Sequence, residues 1–153
     1  EINEDEAIVI ELLAQCDTVC YTNEILYHYI KRANSNSITM SDFSKKKLAW
    51  QEHCANNLRI IQEKYPELEK DAVIRYRNSL LWSLAEIALS NSEEDFSEDI
   101  SLLMKRLKEN KKLFFSAGHF CKTDAIRMRV LLIWGFDFYK KTIKLKRGKN
   151  SDK

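Results

Sequence analysis

Glycine is nearly absent from this chain: three residues in 153, beside a single proline. That scarcity constrains the fold more than any other feature. Two-residue hairpin turns need positive φ at one or both central positions, which glycine supplies. Phosphate-cradling loops are glycine-rich for a related reason, the close approach of backbone to ligand. A sheet-rich fold and a nucleotide-binding loop both need residues that this chain lacks. The sequence therefore predicts a mainly helical body. With 44% hydrophobic residues, a chain of this length can bury about 68–70% of its unfolded surface. The balance of 31% charged residues and a net charge of +2 excludes a disordered charged tail, a collagen-like repeat and a disulfide-rich miniprotein.

Charge is uneven along the chain. Residues 140–149 (KKTIKLKRGK) carry six basic side chains and no acid. Residues 91–99 (NSEEDFSED) carry five acids and no base. The four cysteines are Cys16, Cys20, Cys54 and Cys121. Their spacing makes no zinc pattern, so reduced, partly buried thiols in a reducing compartment are expected. No signal peptide and no run of 18 apolar residues is present. The chain starts at Glu1 without a methionine, and a piece of a longer protein is the expectation.

Apolar periodicity places the helices. Residues 3–16 read as the first, with Asn3 as cap, Glu6 in capping-box position, and Ile8, Val9, Leu12, Leu13 and Cys16 along one face. Two β-prone runs follow at 18–22 (TVCYT) and 25–30 (ILYHYI), with Asn23-Glu24 as the turn between them. Residues 33–37 form a loop by composition. Ser41 or Asp42 can cap a helix running to about Tyr65, with Trp50, Cys54, Leu58 and Ile61 along one face. Pro66 ends it and suits the first turn of the next. Val73, Tyr76, Leu80, Leu84 and Ile87 are that helix's inward stripe. Ile100, Leu103, Met104 and Leu107 mark another helix. The chain breaks around Ser116-Ala117-Gly118, and Thr123 or Asp124 can cap a last helix to about Leu145. The helices from 42 onward are expected to pack as antiparallel neighbours joined by short connections. Trp50, Trp82 and Trp134 are expected in the core.

Segment 3–39 reads Glu4-Asp5-Glu6, an amphipathic helix, a short strand, a tyrosine-rich strand (Tyr27, Tyr29), then Ser37-Ile38-Thr39 after a spacer. Tyr65-Pro66-Glu67-Leu68 follows later. In order and spacing this resembles the C-terminal end of the catalytic domain of bacterial family 2 glycosyltransferases, with their helical extension. The resemblance divides the chain into residues 1–40, the edge of the catalytic domain, and residues 41–153, a helical extension with a basic tail. The implied fold is mainly α: a bundle-like extension preceded by a helix and a short two-stranded β element left from an α/β domain.

The resemblance implies an inverting transfer of a sugar from a nucleotide-diphosphate sugar to a glycan or lipid-linked acceptor, in cell-envelope polysaccharide synthesis. Asp5 matches the family's general base. A hydroxyl is a weak nucleophile, so a placed carboxylate must take its proton in the transition state. Free N–H groups at a helix start are a good mount for it. Glu4 and Glu6 would orient Asp5 or contact the acceptor. Acids at a helix start are also expected from the macrodipole alone. The family's strand places an arginine after its second tyrosine, near the donor diphosphate. Here Ile30 stands there, and the spacer to Ser37 is longer. Lys31 or Arg32, beside Tyr29, can take over that anion contact. Equally, Tyr27 and Tyr29 can be one packed face of a strand and the basic pair its solvated edge. His28 receives no role.

The family's nucleotide site, with an acidic D-x-D motif holding a divalent metal (magnesium or manganese), belongs to an N-terminal half that is not in this chain. Asp95 and Asp99 sit in the wrong context for that motif. This chain by itself is expected to bind neither donor nor metal well. Residues 126–149 combine an apolar stretch with the basic cluster. They suit either a helix at an anionic membrane surface or a core helix with a solvated tail. A basic tail without interleaved aromatics gives no specific nucleic-acid binding. A cytoplasmic location, peripheral on the inner face of the membrane, is implied. The alternative from another class is a non-enzymatic helical interaction module whose acidic start and tyrosine strand are structural.

Overall fold

Twelve of the 21 residues of one helix, Glu69–Leu89, are buried. A helix that is apolar most of the way round must lie inside the fold, and this one does. In the computed structural model, which describes residues 4–28, 42–91 and 94–151, every large helix after the first packs against it. In chain order the helices are α1 (Glu4–Leu13), α2 (Ala49–Lys64), α3 (Glu69–Leu89), α4 (Ser97–Glu109), α5 (Lys111–Ser116) and α6 (Lys122–Ser151). Single 3-10 turns, Lys45–Leu48 and Pro66–Leu68, lead into α2 and α3. The protein is mainly α, as the glycine content predicts.

The stripe Val73, Tyr76, Leu80, Leu84 and Ile87 is buried along its whole length. Cys54 and Leu58 of α2 meet it from one side, and Leu103 and Leu107 of α4 with Met128 and Leu131 of α6 complete the core. The small side chains of Ser79 and Ser83 let neighbours approach closely. Ser83 Oγ donates to Gln51 Oε1 of α2 at 3.0 Å. Helix α2 ends at Lys64, and Pro66 opens the following turn, as its fixed φ favours.

The acidic stretch works as a set of caps. Asp95 Oδ1 accepts the Ser97 N–H at 2.9 Å and the Ser97 hydroxyl at 2.6 Å at the start of α4. Those hydrogen bonds hold the Asp95 carboxyl below the usual carboxylate range. Glu94 Oε2 accepts the Lys45 N–H at 2.9 Å. The turn before α2 is thus capped from a distant loop, and Asp42 is exposed. Ser41, the other expected cap, lies outside the described residues.

Two expectations are corrected. Residues 18–28 carry no strand, and the described residues contain none. A β-prone run needs a ladder partner, and here residues 15–28 are exposed, with Glu24 N–H turned back onto Thr22 Oγ1 at 3.2 Å. Residues 29 and 30, the end of the second run, lie outside the described residues. Trp134 is 58% exposed instead of buried. Trp134 falls beside the inward stripe of its arm, and one residue later, at Gly135 with φ of 79° and ψ of −178°, α6 breaks. The inward stripe runs through Met128 and Leu131, then restarts at Phe136 and Tyr139. Trp134 lies off that stripe and beside Phe138. Trp82 is likewise exposed, at 37%, instead of buried. Of the three tryptophans only Trp50 packs partly buried against the core, edge to face with Trp82 at 5.2 Å between centroids.

Inside α3 lies the largest fully buried side chain, Arg77, 1% exposed. Its guanidinium donates to the carbonyls of Phe114 (3.3 Å), Gly118 (2.9 Å) and His119 (3.0 Å). It also stacks over the Phe120 ring at 3.8 Å. Gly118 and His119 both have positive φ, so Arg77 holds a strained turn between α5 and α6. Replacing it with methionine would leave those carbonyls without their donor. Arg77→Met should lower stability by about 3 kcal/mol, read as a lower urea midpoint, with Arg77→Lys in between. Gly135 occupies a backbone region almost closed to other residues. Gly135→Ala should cost about 1–3 kcal/mol on the same measurement, although no atom lies within 4 Å of the added Cβ.

Candidate functional site

The acidic start of the chain sits on α1, which packs against α2. The residue that secures it is Glu6. Its Oε2 accepts the indole N–H of Trp50 at 2.9 Å, and its Oε1 accepts from Nε of Arg75. Its backbone carbonyl accepts from Asn57 Nδ2 at 3.2 Å. Five residues on, Glu11 Oε1 accepts from Asn56 Nδ2 at 3.0 Å. Helix α1 is therefore docked by a row of polar contacts onto α2 and α3. The hydrogen bond from Arg75 to the Glu6 carboxylate is the main reason that the guanidinium's pKa is raised.

Asp5 stands beside this clamp. It is exposed, and its Oδ1 accepts the Glu6 N–H at 2.8 Å. One carboxylate oxygen is thus oriented by the helix start while the group remains accessible. A pocket of ≈ 390 Å³ opens here between α1, α2 and α3, lined among others by Asp5, Glu6, Val9, Cys54, Ile61 and Arg75. This lies toward the small end of ligand-binding cavities. Apolar residues line its walls, and two carboxylates and a guanidinium bring charge to it. The arrangement can hold a hydroxyl-bearing molecule against the Asp5 carboxylate.

Of the residues singled out by sequence, Glu4 begins α1, Asp5 lines the pocket, and Glu6 is committed to protein partners. Tyr29, Lys31 and Arg32 lie outside the described residues. His28 is exposed. Sequence reading missed Trp50, Asn57 and Arg75. Trp50 was assigned to the core, and its N–H partner is 44 residues away. Arg75 lies on α3 at a position that looks solvated, and no local pattern pairs it with Glu6. Among the described residues, no three or more His, Cys, Asp or Glu side chains gather as a metal site. No described helix is long and apolar enough to cross a membrane. No protein-family model, curated protein or solved structure matches this chain at a significant level.

The face of α1 turned from α2 is apolar and uncovered. Ile8, Leu12 and Leu13 are exposed, as are Val19, Tyr21, Ile25, Leu26 and Tyr27 beyond it. Cys54, in contrast, is buried in the pocket floor. Burial and then the nearby Glu6 carboxylate push its thiol from 9.0 up to about 12. The folded value lies above the unfolded one, so the fold favours the neutral thiol. That contribution is complete below about pH 9 and is lost as pH rises toward 12. Cys16, Cys20 and Cys121 are exposed. A thiol-labelling experiment at pH 8 should therefore count three fast cysteines and one silent one. Glu6→Ala, which releases the α1 clamp, should make Cys54 reactive without unfolding the rest of the chain.

Proposed function

We propose that this chain is the acceptor-side, C-terminal part of an inverting glycosyltransferase of the family 2 kind. The observation that carries the reading is Asp5: an accessible carboxylate, oriented at the start of a docked helix, on the wall of an apolar-sided pocket. In this reading the acceptor hydroxyl hydrogen-bonds Asp5, which takes its proton as the oxygen attacks the anomeric carbon of the donor. The bond from that carbon to the nucleotide diphosphate breaks from the opposite side, and the configuration inverts. The Glu6 clamp keeps α1, and hence Asp5, in place for that transfer. Glu4 sits at the same helix start. Tyr29 with Lys31 or Arg32 would face the departing diphosphate. The divalent metal and the nucleotide site would belong to an N-terminal half of alternating strands and helices.

The uncovered apolar residues from Ile8 to Tyr27 support this division, since the edge of a larger domain presents such a surface. On α6, Ile133, Trp134 and Phe138 are exposed close to Lys140, Lys141 and Lys144. That pairing of apolar and basic groups supports contact with an anionic membrane on its cytoplasmic face, where a lipid-linked acceptor would be met. One observation favours the second reading, a helical interaction module. The Glu6 carboxylate is fully engaged in holding helices together, which is a structural use of the acidic start.

Activity of the full-length protein separates the two readings. Asp5→Asn should lower sugar transfer by about 10²–10⁴-fold while donor affinity stays nearly unchanged. Unchanged turnover would remove Asp5 from the mechanism.

A further inference from the structure

The bend at Gly135 gives α6 two arms, and a cavity of ≈ 350 Å³ lies between them. Every residue lining it belongs to α6, so it is separate from the Asp5 pocket. Ile126 and Val130 of the first arm and Ile143 of the second make its walls apolar. Lys122 and Arg127 contribute cations, and Tyr139 contributes a phenol.

Tyr139 is the unusual member. It is 3% exposed, yet its hydroxyl has no hydrogen-bond partner among the described residues. Buried tyrosine hydroxyls are normally paired. The nearby Thr142 hydroxyl donates to the Tyr139 carbonyl at 2.7 Å and makes no bond to the phenol. Burial holds the Tyr139 phenol above its ordinary pKa, so at neutral pH it is an O–H looking for an acceptor. The charges around it are also informative. Asp124 pairs with Arg127 at 3.3 Å and offsets one cation, which leaves Lys122 as the surplus positive charge of the cluster. The Cys121 thiol bonds the other Asp124 oxygen at 3.0 Å. The cavity thus combines an unsatisfied donor, one net positive charge and apolar walls.

We propose that this cavity binds a small amphiphilic monoanion, a carboxylate on an apolar body. Its head group lies by Lys122, Arg127 and the Tyr139 hydroxyl, and its body lies against Ile126, Val130 and Ile143. The volume is within the usual range for ligand cavities, and a few fixed polar groups in an apolar wall are how such sites set orientation. This inference rests on α6 alone and is independent of sugar transfer.

The probe is octanoate, titrated calorimetrically into the intact chain below its aggregation concentration. Acetate and 1-octanol serve as the head-only and body-only controls. Octanoate should bind saturably with one site, and both controls should bind about tenfold or more weaker. Tyr139→Phe keeps the ring and removes only the hydroxyl. It should weaken octanoate binding about tenfold, the equivalent of one hydrogen bond to a charged group. Without ligand it should melt at or above the wild-type temperature, because an unpaired buried group is gone. Arg127→Gln gives an independent loss of affinity. Octanol binding as tightly as octanoate would overturn anion recognition, and so would wild-type affinity in Tyr139→Phe. Absence of saturable octanoate binding would overturn the site.

Discussion

One buried cation, Arg77, organises the centre of this protein. Arg77 enters the middle of the core from α3, and its guanidinium is desolvated enough to lower its pKa. A buried charge is tolerable only when it is hydrogen-bonded. Three backbone carbonyls meet that need, one from α5 and two from the α5–α6 connection. The exchange works in both directions. The turn at Gly118-His119, with two positive φ values in succession, is held by the side chain that it satisfies. The start of α6 follows directly from that turn. The placement of α6 against α3 depends on where Arg77 fixes the chain.

Helix α1 is attached in a different way. Most of the contacts in the body are apolar, but α1 is held chiefly by Glu6 and Glu11 reaching donors on α2 and α3. Polar docking of this kind is directional and modest in strength, with partly exposed ion pairs worth about 1 kcal/mol or less. It fixes the orientation of α1 while leaving Ile8, Leu12 and Leu13 uncovered. The same geometry explains how neighbouring acids come to differ. Glu6 is absorbed by the clamp, and Asp5, one residue earlier, is left accessible with one oxygen tied to the backbone. A helix start carrying several acids is ordinary in itself. The division of labour between adjacent carboxylates makes this one a candidate site.

Much of the helical body was legible in the sequence. The stripe from Val73 to Ile87, the stop before Pro66 and the break at Gly118 all rest on local rules of spacing and backbone geometry, and the structure follows them. Arg77 also falls within that stripe, four residues after Val73 and three before Leu80. A charged residue at an inward position was a signal that could have been read. Other features were not legible. The β-prone runs at 18–28 had the composition of strands, but a strand exists only with a neighbour to pair with, and that is a tertiary condition. Trp134 had the composition of a core residue, but it falls beside the stripe set by Met128 and Leu131 and stays exposed.

The sequence by itself determined a glycine-poor, mainly helical chain and placed most of its helix boundaries, because those depend on residues within a few positions of one another. It also singled out Asp5, through the order of short motifs. Only the tertiary structure decided that Glu6 binds Trp50 and Arg75, that Glu94 caps a turn some fifty residues earlier, and that the Tyr139 hydroxyl is buried with no partner among the described residues. The first two depend on side chains brought together across long separations in the chain, and the third on the fold of α6 about its bend. Helical periodicity tells which face turns inward. It does not tell what that face will meet.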